Sequence, residues 1–142
     1  MRSVVSGLGA VVVAGALVAC ENDASCVPVA LRAEPVVVKA RRTGNTPVRL
    51  TAHVLAADQP KEGLRVSFYR LAEGSTSGEF MGDVESNERG VARLVHGYVP
   101  SVDRARYQRA VRIAAVYDGL TVVDGVDYCS ARAEAAFTFT ES

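Results

Sequence analysis

From Val27 onward, apolar and polar residues alternate with a period of two. Val48, Leu50, Ala52, Val54 and Ala56 alternate with Arg49, Thr51, His53 and Leu55, and Leu64, Val66 and Phe68 with Arg65, Ser67 and Tyr69. Val111, Ile113, Ala115 and Tyr117 alternate with Arg112, Ala114 and Val116. Ala131, Ala133, Ala135, Phe137 and Phe139 alternate with Arg132, Glu134, Ala136 and Thr138. Successive side chains of a strand point to opposite faces, so this pattern predicts strands with one face in a core. Turn residues fall between them, at Thr43–Pro47, Asp58–Gly63 and Asn87–Gly90. Pro35 interrupts an otherwise extended Val27–Lys39, which predicts an edge strand in two halves, since proline cannot donate to a ladder. About seven strands result, over 27–31 with 35–40, 48–57, 64–71, 79–84, 91–99, 107–117 and 131–140. No window of eleven or more residues carries a convincing amphipathic helical period. The expectation is an all-β, two-sheet sandwich, with a closed barrel as the alternative. Its core comes from Val48, Leu50, Val54, Val66, Phe68, Leu94, Val111, Ile113, Phe137 and Phe139.

Ahead of this pattern, Arg2 is followed by seventeen uncharged residues, Ser3 to Ala19. A basic start, an apolar segment and small residues before a cleavage point predict a secretory signal peptide. Leu17-Val18-Ala19-Cys20 resembles the bacterial lipobox, which implies cleavage before Cys20 and lipid on its sulfur. A single membrane-spanning anchor is the alternative, because the run approaches the ~20 apolar residues that cross a bilayer. Gly7, Gly9 and Gly15 weaken such a helix, and Glu21 and Asp23 follow it where a basic cluster would be expected. The predicted organisation is a signal peptide over 1–19, a lipid-anchored tether over 20–26 and one sandwich domain over 27–142.

Three strand motifs carry a second resemblance. Gly63-Leu64-Arg65-Val66-Ser67-Phe68 resembles the G-x-x-V-x-F strand of bacterial Ig-like domains. Ser86-Asn87-Glu88-Arg89-Gly90-Val91-Ala92 is similar to their turn and following strand, and Ile113-x-Ala115-x-Tyr117-x-Gly119 to their V-x-A-x-Y-x-G strand. The resemblance covers Val36 to Thr140 and implies an Ig-like β-sandwich. Asp103-x-Ala105-x-Tyr107 also resembles the tyrosine corner of Ig folds, with Arg109 standing where a cysteine would follow.

Without its signal peptide the chain has fifteen basic residues against sixteen acidic, which argues against nucleic acid as a partner. If Cys20 carries lipid, Cys26 and Cys129 remain as a pair in an exported chain, where disulfides persist; two unpaired thiols are the alternative. In an Ig-type sandwich the first strand begins at the end that carries the loop between the last two strands. Cys26 and Cys129 then lie at the same end, within bonding reach.

Catalytic chemistry finds little support. His53 and His96 stand in no metal-ligand spacing, and no nucleophile elbow or phosphate-cradling loop occurs. His53 falls on a polar strand face, where a solvated or cross-strand role is expected, and His96 beside Ala92 and Leu94, where partial burial is. Asp118, Asp124 and Asp127 share one loop and are candidate calcium ligands, with solvated loop carboxylates as the alternative. Arg104, Arg106 and Arg112 share strand parity and would form a basic stripe on the outer face of one strand, suited to an anionic surface or to solvent. Tyr69 and Tyr98 are candidate exposed aromatics, but no Trp is present for a glycan platform. The expected function is non-catalytic binding or structural work in the cell envelope, without a cofactor. The expected partners are the membrane, through the lipid, and an envelope protein or cell-wall polymer. The alternative is a lipoprotein that binds a small ligand or calcium through the 118–130 loop.

Overall fold

The computed structural model describes residues 25–142, so the predicted signal peptide and Cys20 lie outside the described residues. The elements in order are β1 (Val29–Ala33), β2 (Val36–Ala40), β3 (Thr46–Ala56), β4 (Gln59–Pro60), β5 (Arg65–Ala72), β6 (Glu79–Glu85), β7 (Val91–Tyr98), α1 (Pro100–Arg109), β8 (Ala110–Tyr117), β9 (Val122–Val123), β10 (Val126–Asp127) and β11 (Ala131–Glu141). They build the all-β sandwich that the alternation predicts. In one sheet β3 is central, with β1 and β7 antiparallel on its two sides and β4 continuing the β7 side. The other sheet runs β2-β11-β8-β5-β6, antiparallel except for β2 beside β11.

The split first strand has a clear purpose. Glu34-Pro35 ends β1 on the first sheet and releases β2 to the second, so the two halves are edges of different sheets. Between the sheets lies one apolar layer. Val48, Leu50, Ala52 and Val54 from β3 face Val66 and Phe68 from β5, Ile113 and Ala115 from β8, and Phe137 from β11, all buried. The Asn87 turn shows how sequence fixes a connection. Asn87 Oδ1 accepts the N–H groups of Arg89 and Val91. Gly90 has φ +74°, and a Cβ there would lie 2.5 Å from the Val54 carbonyl oxygen, so a larger residue would push the turn off β3.

Two expectations fail. Residues 107–109 are not strand; Pro100–Arg109 is a helix. Pro100 sits in the first turn, where its missing N–H goes unneeded. Asp103 Oδ2 accepts the Val99 N–H at 2.8 Å, and Arg106 and Arg109 in the last turn complement the helix dipole. The buried residues of α1 are Asp103 and Tyr107, one turn apart. An inward face made of an acid and a phenol produces no hydrophobic period, so the pattern showed no helix. The second failure is Val111, which is 36% exposed. Leu71 pairs with Arg112 but Ala72 pairs with Ala110, so Val111 is the extra residue of a β-bulge and turns outward. Leu94 and Phe139 are only partly buried, and the other seven expected core residues are buried.

Denaturant unfolding checks the register. Phe68→Ala should lose about 3–5 kcal/mol, while Arg65→Ala, on the outer face of β5, should lose far less. Ile113→Ala should lose about 2–5 kcal/mol, and Val111→Ala within about 0.5 kcal/mol. Equal losses at 111 and 113 would contradict the bulge.

Candidate functional site

The two ends of the sandwich differ in chemistry. One end carries the chain entry and the 118–130 loop. Cys26 and Cys129 are disulfide-bonded, with Cα atoms 5.1 Å apart. Beside the bond, the Val27 N–H donates to the Asp127 carbonyl and the Cys129 N–H to the Val27 carbonyl, each at 2.8 Å. The start of the domain is thereby sewn to this loop. Gly119, with φ +73°, brings the loop against Ser130, whose amide nitrogen would be 2.9 Å from a Cβ at 119. A polar cleft of about 680 Å³ opens here, with Lys61, Arg65, Glu85, Tyr117, Asp118 and Asp124 among its walls.

The three loop aspartates do not converge. Asp118 Oδ1 accepts the Leu120 N–H at 2.9 Å, which shapes the turn. Asp124 lies 3.3 Å from Lys61 Nζ. Asp127 is in β10, where its carbonyl holds Val27. Among the described residues no three His, Cys, Asp or Glu side chains stand close enough to hold a metal ion. The calcium reading therefore has no geometric support.

At the other end, α1 covers an aromatic plug. Tyr98 and Tyr107 are fully buried, with ring centroids 4.8 Å apart, and both contact Phe139. Tyr98 is thus not an exposed aromatic; its hydroxyl donates to Glu141 Oε2 at 2.9 Å. Arg104 Nε donates to both oxygens of Glu141, and its Nη2 donates to the Arg42 carbonyl. Arg104 holds the Glu141 carboxyl below the ordinary glutamate value. Tyr107 bonds Nδ1 of His96 at 2.8 Å, and burial pushes its hydroxyl up to about 12. The tyrosine corner is therefore replaced by a tyrosine on a helix that bonds a histidine of β7. His53 bonds the carboxylate of Glu34, just past the end of β1, and this bond lowers the Glu34 carboxyl below its ordinary value.

The predicted arginine stripe is divided. Arg104 and Arg106 lie on α1 and Arg112 on β8, so they share no strand face. Arg104 serves Glu141. Arg106 lies 3.6 Å from Glu79, and Arg112 bonds Glu134 and the Ser75 carbonyl. The alternation held one further signal: Arg70 shares parity with Val66 and Phe68, and it points inward and is buried. Its guanidinium lies 5.1 Å from the Tyr107 ring centroid, and Nη2 donates to Glu79 Oε1 at 3.2 Å. Among the described residues no helix is long and apolar enough to cross a membrane.

A scan of protein-family models finds no match to this chain, and a search of curated proteins finds none.

The part-buried His96–Tyr107 contact predicts a pH response. Burial, and then Arg70, lowers the His96 value below the ordinary 6.5, against an opposing pull from Asp103. As pH falls, the unfolded chain takes the proton first. Stability contributed here is full above about pH 6.5 and declines as pH drops toward the lowered value. The melting temperature should fall through this window, and His96→Gln should flatten the slope. An unchanged slope in the variant would assign the response to another group.

Proposed function

We propose that this chain is an exported bacterial protein, anchored by lipid on Cys20. Its Ig-like sandwich acts without catalysis, as a binding or structural module of the cell envelope. The observation that carries this reading is the Cys26–Cys129 bond, because such bonds persist in oxidising compartments. It accords with the lipobox resemblance of Leu17-Val18-Ala19-Cys20, which accounts for the third cysteine. A second reading, a lipoprotein that binds a small polar ligand, is favoured by the cleft of about 680 Å³ beside the 118–130 loop.

On the first reading the anchor has a defined reach. Cys26 is the sixth residue after Cys20, and an extended chain covers about 3.3–3.6 Å per residue, so the lipid lies within roughly 20 Å of the disulfide. The 118–130 loop then faces the membrane. The end with residues 41–45, α1 and Ser142 faces outward, toward an envelope protein or cell-wall polymer.

Two experiments test this. Cys20→Ser should yield an unlipidated precursor of altered mass that leaves the membrane fraction; unchanged mass and retention would refute the anchor. On membrane-bound protein, a label at Ser142 should be more accessible than one at Asp124, and the reverse order would refute the orientation.

A further inference from the structure

Arg70 is an arginine on the apolar face of a strand, and only 5% of it is exposed. A guanidinium carries five N–H donors, and burial of such a group is costly unless they are satisfied. Nη2 reaches Glu79, and the guanidinium carbon lies 5.1 Å from the Tyr107 ring centroid. Nε and Nη1 are buried and have no hydrogen-bond partner among the described residues. Arg70 also pulls the Tyr107 hydroxyl value down, against burial, yet neither Nε nor Nη1 meets an acceptor there at hydrogen-bond geometry.

Arg70 lines a cavity of about 150 Å³, together with Ser75, Ser77, Glu79, Arg106 and Arg109. At about 30 Å³ per liquid water, this is room for about five waters. A carboxylate or phosphate group fits such a space; a whole metabolite does not. Three guanidinium groups meet one carboxylate here. The C-terminal end of α1 adds about half a unit of negative charge, which leaves the site positive. Arg112 fixes the far wall by donating to the Ser75 carbonyl at 2.9 Å. Ser75 Oγ donates to the Ser77 carbonyl at 2.6 Å, so the loop over the cavity is held from both sides.

We propose that this cavity binds the anionic group, a carboxylate or a phosphate, of a ligand whose remainder stays outside. Arg70 is the inner anchor, and Arg106 and Arg109 form the mouth. Glu79 is the internal competitor. Its carboxylate bridges Arg70 at 3.2 Å and Arg106 at 3.6 Å, yet its side chain is 53% exposed and free to swing away. The incoming group takes over the Arg70 fork, with the paired geometry that arginine offers planar or tetrahedral oxyanions. The site lies at the α1 end of the sandwich, away from the disulfide, and does not depend on the lipid anchor.

A purely structural ion-pair network would tie β5 and β6 to α1 and bind nothing. Nitrogen-15 NMR of the arginine Nε–H groups in the purified full chain separates the two. Inorganic phosphate and acetate are titrated in parallel at constant ionic strength, with chloride as the control. A saturable shift of the Arg70 Nε–H with phosphate, acetate or both is expected, and the stronger response identifies the anion class. Glu79→Gln should tighten binding roughly tenfold by removing the competitor, and Arg106→Gln should weaken it roughly tenfold, each the equivalent of one charge-assisted hydrogen bond. Both positions are half exposed, so these variants test the site even if Arg70→Met fails to fold. An absent or non-saturable shift, an equal shift with chloride, or affinities unchanged in both variants would overturn the proposal and leave an adventitious ion only.

Discussion

The sandwich depends on one constraint: two sheets share a single apolar layer, and that layer must be closed at both ends. Val48, Leu50 and Val54 on one side and Phe68, Ile113 and Phe137 on the other exclude water along the middle. At the entry end the closure is covalent, through Cys26 and Cys129. At the far end it is aromatic, with Tyr107 of α1 packed against Tyr98. The second closure imports polar atoms into a dry region. Each phenol must find a partner there, and Glu141 and His96 supply them. The ion pairs of that end thus follow from the choice of tyrosine over phenylalanine as a stopper.

Most of the fold was legible because alternation reports the inward face directly. In β3, Val48 through Ala56 is buried at every second position, as its sequence reads. The two-halved first strand was legible through Pro35, though sequence did not say that the halves join different sheets. Helix α1 was not legible, because its inward residues are Asp103 and Tyr107 and its length gives too few turns for a period. Val111 misled for a related reason: a bulge shifts the phase of β8, and a bulge leaves no mark in composition.

The candidate sites were less legible than the fold. The cysteine pair was readable from count and topology together. The aspartate loop was not, since three carboxylates close in sequence are used separately as a turn former, an ion-pair partner and a backbone acceptor. The arginine stripe assumed a continuous strand, and the helix broke it. Two of its members, Arg106 and Arg112, nevertheless flank the cavity to which Arg70 points, one lining it and one fixing its wall. That residue could have been flagged from sequence, as the one charged residue that breaks the inward series Val66, Phe68, Arg70.

The place of β11 has a consequence for the order of events in folding. Strand β11 is not an edge; it stands between β2 and β8 and pairs with both. The five-stranded sheet therefore cannot close until β11 is in place, and β2 waits for a partner more than ninety residues away in the chain. Contacts of that separation slow folding, because a long loop must be ordered before they form. Until β11 arrives the second sheet lacks the strand that joins β2 to β8, and Cys26 waits as long for Cys129, 103 residues further on. Such a chain stays threadable until that strand arrives.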